Sequence, residues 1–319
     1  MEGVILIVQL KNITKNILQK SHRLLSVFDF FYMQKEVEYE HPPVFIIGPP
    51  RSGTSLLYQV MTQAFQFAYL PNLANMFYQC PITATKISKT LFRNYKSTFR
   101  SSHGNENGIF SPSEAGNVWN RWFPHEKKDG FNYTDSDYLT SQSKLEINRM
   151  VMNISKIFDA PFLSKNVKMS VRLPALQRIF PDAKLVQIMR NPVDVAASLL
   201  QIRRKKNINW WSAMPSSIEL LHDLPEIESV VGQVFGIEDD IKRDLSLLPL
   251  AQQLVLTYDD LCSDTHSVVS KISDFMNMTA DLNEVPRSFP QAKVSPNEWV
   301  SVGDIAKIKL VCAERCAKN

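Results

Sequence analysis

Two short stretches of this 319-residue chain combine glycine, hydroxyl and basic residues in spacings suited to gripping anions. The first, Gly48-Pro49-Pro50-Arg51-Ser52-Gly53-Thr54-Ser55, follows the apolar run Val44-Phe45-Ile46-Ile47 and leads into a helical pattern from Leu56 to about Phe65. A glycine-bearing turn between a strand and a helix directs backbone N–H groups and the positive end of the helix dipole at one spot, which then binds an anion. Set against the nucleoside-triphosphate loop G-x-x-x-x-G-K-[ST], Gly48 and Gly53 are in register, but Thr54 stands where the lysine belongs. The cation lies inside the loop instead, at Arg51. Such a loop is poorly placed to grip β- and γ-phosphates and better suited to a single 5′-phosphate. Taken alone, the string also fits a tight turn with a helix cap.

The second stretch begins where the strand-like run Lys184–Met189 ends, at Arg190-Asn191-Pro192, with Ser198 eight residues after Arg190. Eight residues are about two helical turns, so Arg190 and Ser198 can converge on one anion. Separately, each reads as a strand-end charge and a neutral helix residue.

With both stretches present in this order, the chain resembles the sulfotransferases that use 3′-phosphoadenosine 5′-phosphosulfate (PAPS), in their bacterial and tyrosylprotein branches. Their 5′-phosphosulfate loop, P-[KR]-S-G-T-[ST], is matched at every position by Pro50–Ser55, and their 3′-phosphate pattern, R-[DN]-P-x-x-x-x-x-S, by Arg190–Pro192 and Ser198. Lys165-Asn166 and Phe180-Pro181-Asp182-Ala183-Lys184 resemble the run K-[DN]-P…F-P-[DN]-A-K, with Val167 where proline is usual. Tyr258-Asp259-Asp260-Leu261 resembles a Y-E-D-L strand end whose tyrosine lies near the adenine, and Ser295 to Trp299 with the closing helix resembles a segment that covers the cofactor. The similarity spans about 43–68, 161–204 and 250–316.

The resemblance implies transfer of a sulfuryl group from PAPS to an acceptor hydroxyl or amine, with release of 3′-phosphoadenosine 5′-phosphate (PAP). It assigns Arg51, Ser52, Gly53, Thr54 and Ser55 to the 5′-phosphosulfate, Arg190 and Ser198 to the 3′-phosphate, and Tyr258 to the adenine. Arg51 and Lys165 would act at the reacting group, Lys165 by stabilising charge on the bridging oxygen. Such a transfer is an in-line displacement that rests on positioning and charge neutralisation and requires no metal. The acceptor must also lose a proton, for which Glu or His is suited. In the tyrosylprotein enzymes the glutamate lies a short helix beyond the first loop, where this chain has Leu70-Pro71-Asn72. Glu114 is the first candidate for the base, with His103 and His125 behind it; as a lone acid at a helix start, Glu114 also fits a capping role. Trp210-Trp211 reads as an apolar wall for acceptor or cofactor, or as core.

These residues need elements to position them. Short apolar runs alternating with helical patterns predict a parallel sheet covered on both faces, with strands at 161–163, Lys184–Met189 and Gln253–Thr257 besides Val44–Ile47. Helices are expected at Tyr138–Phe158, Leu173–Phe180, Val193–Arg204, 265–277 and 304–316. The resemblance implies a P-loop-containing three-layer α/β/α fold with a central parallel sheet. One domain over 1–319 is expected, with a helical extension at 1–40 and a substrate-pocket insertion at 70–160. With 44% apolar residues the chain can bury a sizeable core, and its net charge of +4 is too mild for a nucleic-acid or membrane tail. Cys80, Cys262, Cys312 and Cys316 lack zinc spacing and suit a reducing compartment. Neither a membrane span nor a signal peptide is evident, so a cytoplasmic location is expected. The acceptor stays open among small molecule, carbohydrate, lipid and peptide. Rival readings are a small-molecule or nucleoside kinase, against which the missing lysine speaks, and an inactive PAP-binding scaffold.

Overall fold

The computed structural model describes residues 26–33, 41–91, 95–100, 106–123 and 133–317. Of the helix expected over 1–40, residues 26–33 are helical (α1), and the remainder lies outside the described residues. Four strands, β1 (Val44–Ile47), β2 (Leu163–Lys165), β3 (Lys184–Met189) and β4 (Gln253–Thr257), form one parallel sheet in the order β2-β1-β3-β4. The register pairs Ile46 with Lys165, Ile47 with Gln187 and Met189 with Thr257, so the carboxyl ends of all four strands reach the same edge.

All four residues of β1 are fully buried, which explains why the sequence there is an unbroken apolar run and not an alternation. Phe45, Ile47 and Leu185 pack on one side with α6 (Ser141–Phe158), α7 (Leu173–Ile179) and α9 (Glu226–Leu245). Val44, Ile46, Val186 and Ile188 pack on the other with α2 (Thr54–Ala64), α10 (Tyr258–Ser263) and α11 (Thr265–Met276). Each fully buried aliphatic side chain is worth about 1.5–3 kcal/mol, so this two-sided burial fixes β1 as the centre of a three-layer α/β/α fold. A third apolar cluster joins α8 (Pro192–Lys206), α9 and α12 (Val302–Cys316) through Leu199, Leu200, Val230, Val234 and Ile308.

β3 and β4 have the bounds expected from sequence. β2 begins two residues later than expected, because Ala68 first brackets Phe162 in an isolated bridge, donating to the Pro161 carbonyl and accepting from the Leu163 N–H, and the ladder with β1 starts at Leu163. α9 spans 20 residues outside every stretch expected to be helical. Its buried Ile227, Val230, Val231, Val234, Ile237 and Ile241 recur at helical spacing, so the pattern was present in the sequence. Between α2 and β2 lie α3 (Asn72–Met76), α4 (Pro81–Leu91), α5 (Gly116–Trp119) and α6. The four cysteines are free, and no helix among the described residues is long and apolar enough to cross a membrane.

Candidate active site

Every strand of the sheet delivers a chemically useful residue at its carboxyl end. β1 runs into the loop Gly48–Ser55, β2 ends on Lys165, β3 is followed by Arg190 and β4 by Tyr258. Residues from all four strand ends line one cavity of about 610 Å³, together with Glu114, Lys206, Trp210 and Trp211. That volume and that location suit a nucleotide-sized ligand in an open α/β sheet.

The loop needs both of its glycines. A Cβ on Gly48, at φ +152°, would stand 2.6 Å from the Ile188 carbonyl oxygen. A Cβ on Gly53, the residue before α2 with φ 103°, would stand 2.4 Å from the Tyr258 ring. Ser170, fully buried, ties down the loop entry: its hydroxyl accepts from the Gly48 N–H and donates to the Gly48 carbonyl, each at 3.0 Å. Arg51 itself is held at φ 71°, a strained conformation for a non-glycine residue. The first backbone bond of α2 runs from the Leu57 N–H to the Gly53 carbonyl (3.1 Å), which leaves the N–H groups of Thr54, Ser55 and Leu56 ahead of it for a ligand.

The two anion-binding stretches meet. Arg51 Nε donates to Ser198 Oγ at 3.0 Å, and Arg190 Nη1 donates to the Arg51 carbonyl at 3.0 Å. Arg190 also donates to the Ala292 carbonyl, and its guanidinium lies 4.4 Å from the centre of the Tyr258 ring. The Tyr258 hydroxyl in turn accepts from the Ala292 N–H at 3.2 Å. Burial, and then the neighbouring charge of Arg190, hold the pKa of Arg51 below the usual guanidinium range. Burial pushes that of Tyr258 up.

On the other wall, Lys165 is 1% exposed. Its ammonium makes an ion pair with Glu114 and donates to Ser55 Oγ at 2.7 Å. Removing water from an ammonium costs several kcal/mol unless it is paired, and Glu114 supplies that pairing. Asn166, next to Lys165, donates from Nδ2 to the Glu114 carbonyl at 3.0 Å and so holds the same residue by its backbone. Among the described residues lining the cavity, Arg51, Lys165, Arg190 and Lys206 face a single carboxylate, Glu114. A concave surface with that excess of positive charge attracts and holds anions.

Arg51, Gly53, Thr54, Ser55, Glu114, Lys165, Arg190 and Tyr258 are therefore brought together, and Ser198 joins them through Arg51. Ser52 is fully buried: its N–H donates to the Pro49 carbonyl at 3.2 Å, and its Oγ lies 2.8 Å from where a Gly48 Cβ would be. It shapes the loop from within. Trp210 and Trp211 do line the cavity, with Trp210 stacked under the Arg203 guanidinium at 4.5 Å. His103 and His125 lie outside the described residues. Lys206, Val167, Ile208 and Ala292 also line the cavity and were not singled out from sequence. Lys206 sits in the basic run Arg203–Lys206 that ends α8, a visible signal, whereas nothing local marks Ala292.

A parallel sheet whose carboxyl edge presents a glycine loop, a helix N-terminus and a cationic cavity defines an α/β protein of the P-loop-containing class. The family model described as "Sulfotransferase family" matches residues 42–281, and the chain belongs to this family of sulfuryl-transferring enzymes. Its fold is similar to that of sulfotransferase STF9 from Mycobacterium avium, at 15% identity and a TM-score of 0.59, over 90% of this chain and 78% of that one. It is also similar to that of sulfotransferase STF1 from Mycobacterium tuberculosis H37Rv, at 14% identity and a TM-score of 0.53, over 95% of this chain and 85% of that one. No curated protein matches the chain in sequence.

Proposed function

We propose that the strand-end cavity takes PAPS as the sulfuryl donor and passes the sulfuryl group to an acceptor hydroxyl or amine, leaving PAP. The observation that carries this reading is the pair of linked arginines. Arg51 and Arg190 share one wall of the cavity, joined through the Arg51 carbonyl, and the Glu114 carboxylate is engaged by Lys165 on the other wall. Two guanidinium groups on one wall call for anionic groups at two points of one ligand, and PAPS carries its phosphosulfate and its 3′-phosphate at two positions of one ribose.

The donor supplies an activated sulfuryl group; the chain supplies placement and charge. Thr54 and Ser55, the α2 N-terminus and Arg51 hold the 5′ end, with Gly53 allowing close approach and Ser52 keeping the loop in shape. Arg190 and Ser198 hold the 3′-phosphate, and the Tyr258 ring, against which Gly53 packs, offers a face for the adenine. Lys165 and Arg51 neutralise charge growing on the leaving oxygen, an effect worth about 3–4 kcal/mol of barrier for one well-placed donor. Glu114 removes the acceptor's proton. In-line displacement sets the acceptor oxygen and the leaving oxygen on opposite sides of the sulfur, so in this reading Glu114 serves the acceptor side while the Lys165 ammonium reaches the leaving oxygen. Trp210, Trp211 and Val167 form the apolar part of the cavity toward the acceptor.

The chain then works as one domain over 1–319, with the 70–160 segment contributing Glu114 and building the acceptor side. Four free cysteines fit a reducing, cytoplasmic setting. Thr54 in the lysine position disfavours a kinase. Radiolabelled PAPS with a panel of phenol, alcohol, sugar and amine acceptors tests the reading: sulfated product with PAP release is expected. ATP–Mg²⁺ binding without PAP binding would overturn it.

A further inference from the structure

Glu114 stands in the segment 106–115, which has neither helix nor strand of its own, yet it meets a fully buried ammonium. The start of α3 holds this strap. The Ser113 N–H donates to the Leu70 carbonyl (2.9 Å), Pro71 and Pro112 form an antiparallel bridge, and the N–H groups of Asn72 and Leu73 donate to the carbonyls of Ser111 (2.9 Å) and Ile109 (2.6 Å). Upstream of Ile109, the Asn72 carboxamide continues the hold on the strap. Its Nδ2 donates to the carbonyls of both Glu106 and Gly108, each at 2.8 Å. The same end of the strap is fixed by the buried Glu106 carboxylate, which accepts from Tyr95, from Ser97 Oγ (2.7 Å) and from the Thr98 N–H (3.2 Å).

Asparagine suits this position for a chemical reason. Two amide hydrogens on one nitrogen match two carbonyl oxygens, whereas a carboxylate would face them with like partial charge and a hydroxyl would serve only one. We propose that Asn72 is a positioning residue for the transfer reaction: by clamping the upstream end of the strap it sets the register that brings the Glu114 carboxylate to Lys165. This inference rests on the reading of Glu114 as the base. Asn72 is not among the residues lining the cavity, so its removal is expected to act on kcat and leave nucleotide binding alone. A displacement of about 1 Å at a reacting group costs up to roughly 100-fold in rate.

A double-mutant cycle tests this in the full chain, with turnover of radiolabelled PAPS measured to 2-naphthol and tyramine and, where neither accepts, to water. Asn72→Ala is expected to lower kcat about 10- to 100-fold, with KM for PAPS and Kd for PAP within about twofold of wild type. Asn72→Ser, which keeps one donor, is expected to fall between the two, and it carries the test where Asn72→Ala does not fold by circular dichroism. Combined with Glu114→Gln, either variant is expected to slow the reaction no further than Glu114→Gln alone, because both act through one group. Multiplying effects, or a loss that appears in PAP affinity and not in kcat, would overturn the clamp. The two readings fail differently: Glu114→Gln at wild-type speed removes the base assignment and the coupling built on it, whereas slow Glu114→Gln with Asn72→Ala at wild-type speed removes only the clamp.

Discussion

Arg190 divides its guanidinium among the Arg51 carbonyl, the Ala292 carbonyl and the face of Tyr258, none of which carries a charge to balance its own. It is thus prepared for an anion. Replacing it with alanine is expected to weaken PAP by about 1.5–3 kcal/mol, roughly 10- to 150-fold, while 5′-AMP loses little. Titration calorimetry with the two nucleotides checks this, and equal losses would contradict the 3′-phosphate assignment. Lys165→Met is expected to lower kcat about 10²- to 10³-fold with PAP affinity nearly unchanged, read from steady-state rates beside calorimetry. At this scale much of the site was legible in the sequence. Arg51, Gly53, Arg190 and Ser198 were visible because each belongs to a short motif within one βα turn, although Arg51 meets Ser198 and Arg190 only across 147 and 139 residues. The Lys165–Glu114 contact joins residues 51 apart, and the Arg190–Ala292 bond joins residues 102 apart. Such separations leave no local spacing signal, so the tie between Glu114 and Lys165, and the bonds of Asn72 to the Glu106 and Gly108 carbonyls, had to come from the fold.

Helix ends and turns do the positioning. Gly53→Ala would put a methyl group into the Tyr258 ring at φ 103°, and a loss of about 1–3 kcal/mol in stability with loss of PAP binding is expected from urea denaturation and calorimetry. α12 is held to α8 by Arg204, which bonds Asp304 at 2.8 Å and Glu226 at 2.9 Å. The guanidinium keeps Asp304 well below the usual carboxylate range, so the stabilisation is present above the unfolded pKa and lost as pH falls through the folded one. On α9 the sign is reversed. Burial, and then Asp239, push Glu238 up to about 7 from an ordinary 4.5, so ionising it costs stability as pH rises between those values. Glu238→Gln is expected to match wild type near pH 4 and to melt a few degrees higher near pH 8, by thermal denaturation at the two pH values. The strands, and the helices following β1 and β3, were legible from apolar runs and turn residues. The first turn of β2 pairing was not, because Pro161 and Phe162 engage Ala68, a contact set by tertiary packing.

Across the molecule, the sheet gathers four strand ends into one cationic cavity while the overall charge stays at +4, a contrast that composition alone hides. The attraction is local and partly buried, so PAP affinity is expected to fall with added salt, though less steeply than for exposed charges. The central claim is that the loop after β1 and the arginine after β3 grip opposite ends of one bisphosphorylated adenosine. Magnesium-free calorimetry with PAP, 5′-AMP and ATP on the wild-type enzyme tests it most directly. Tightest binding of PAP, with 5′-AMP clearly weaker for want of the 3′-phosphate and ATP weaker still, is the expected result. PAP bound no better than 5′-AMP would contradict it.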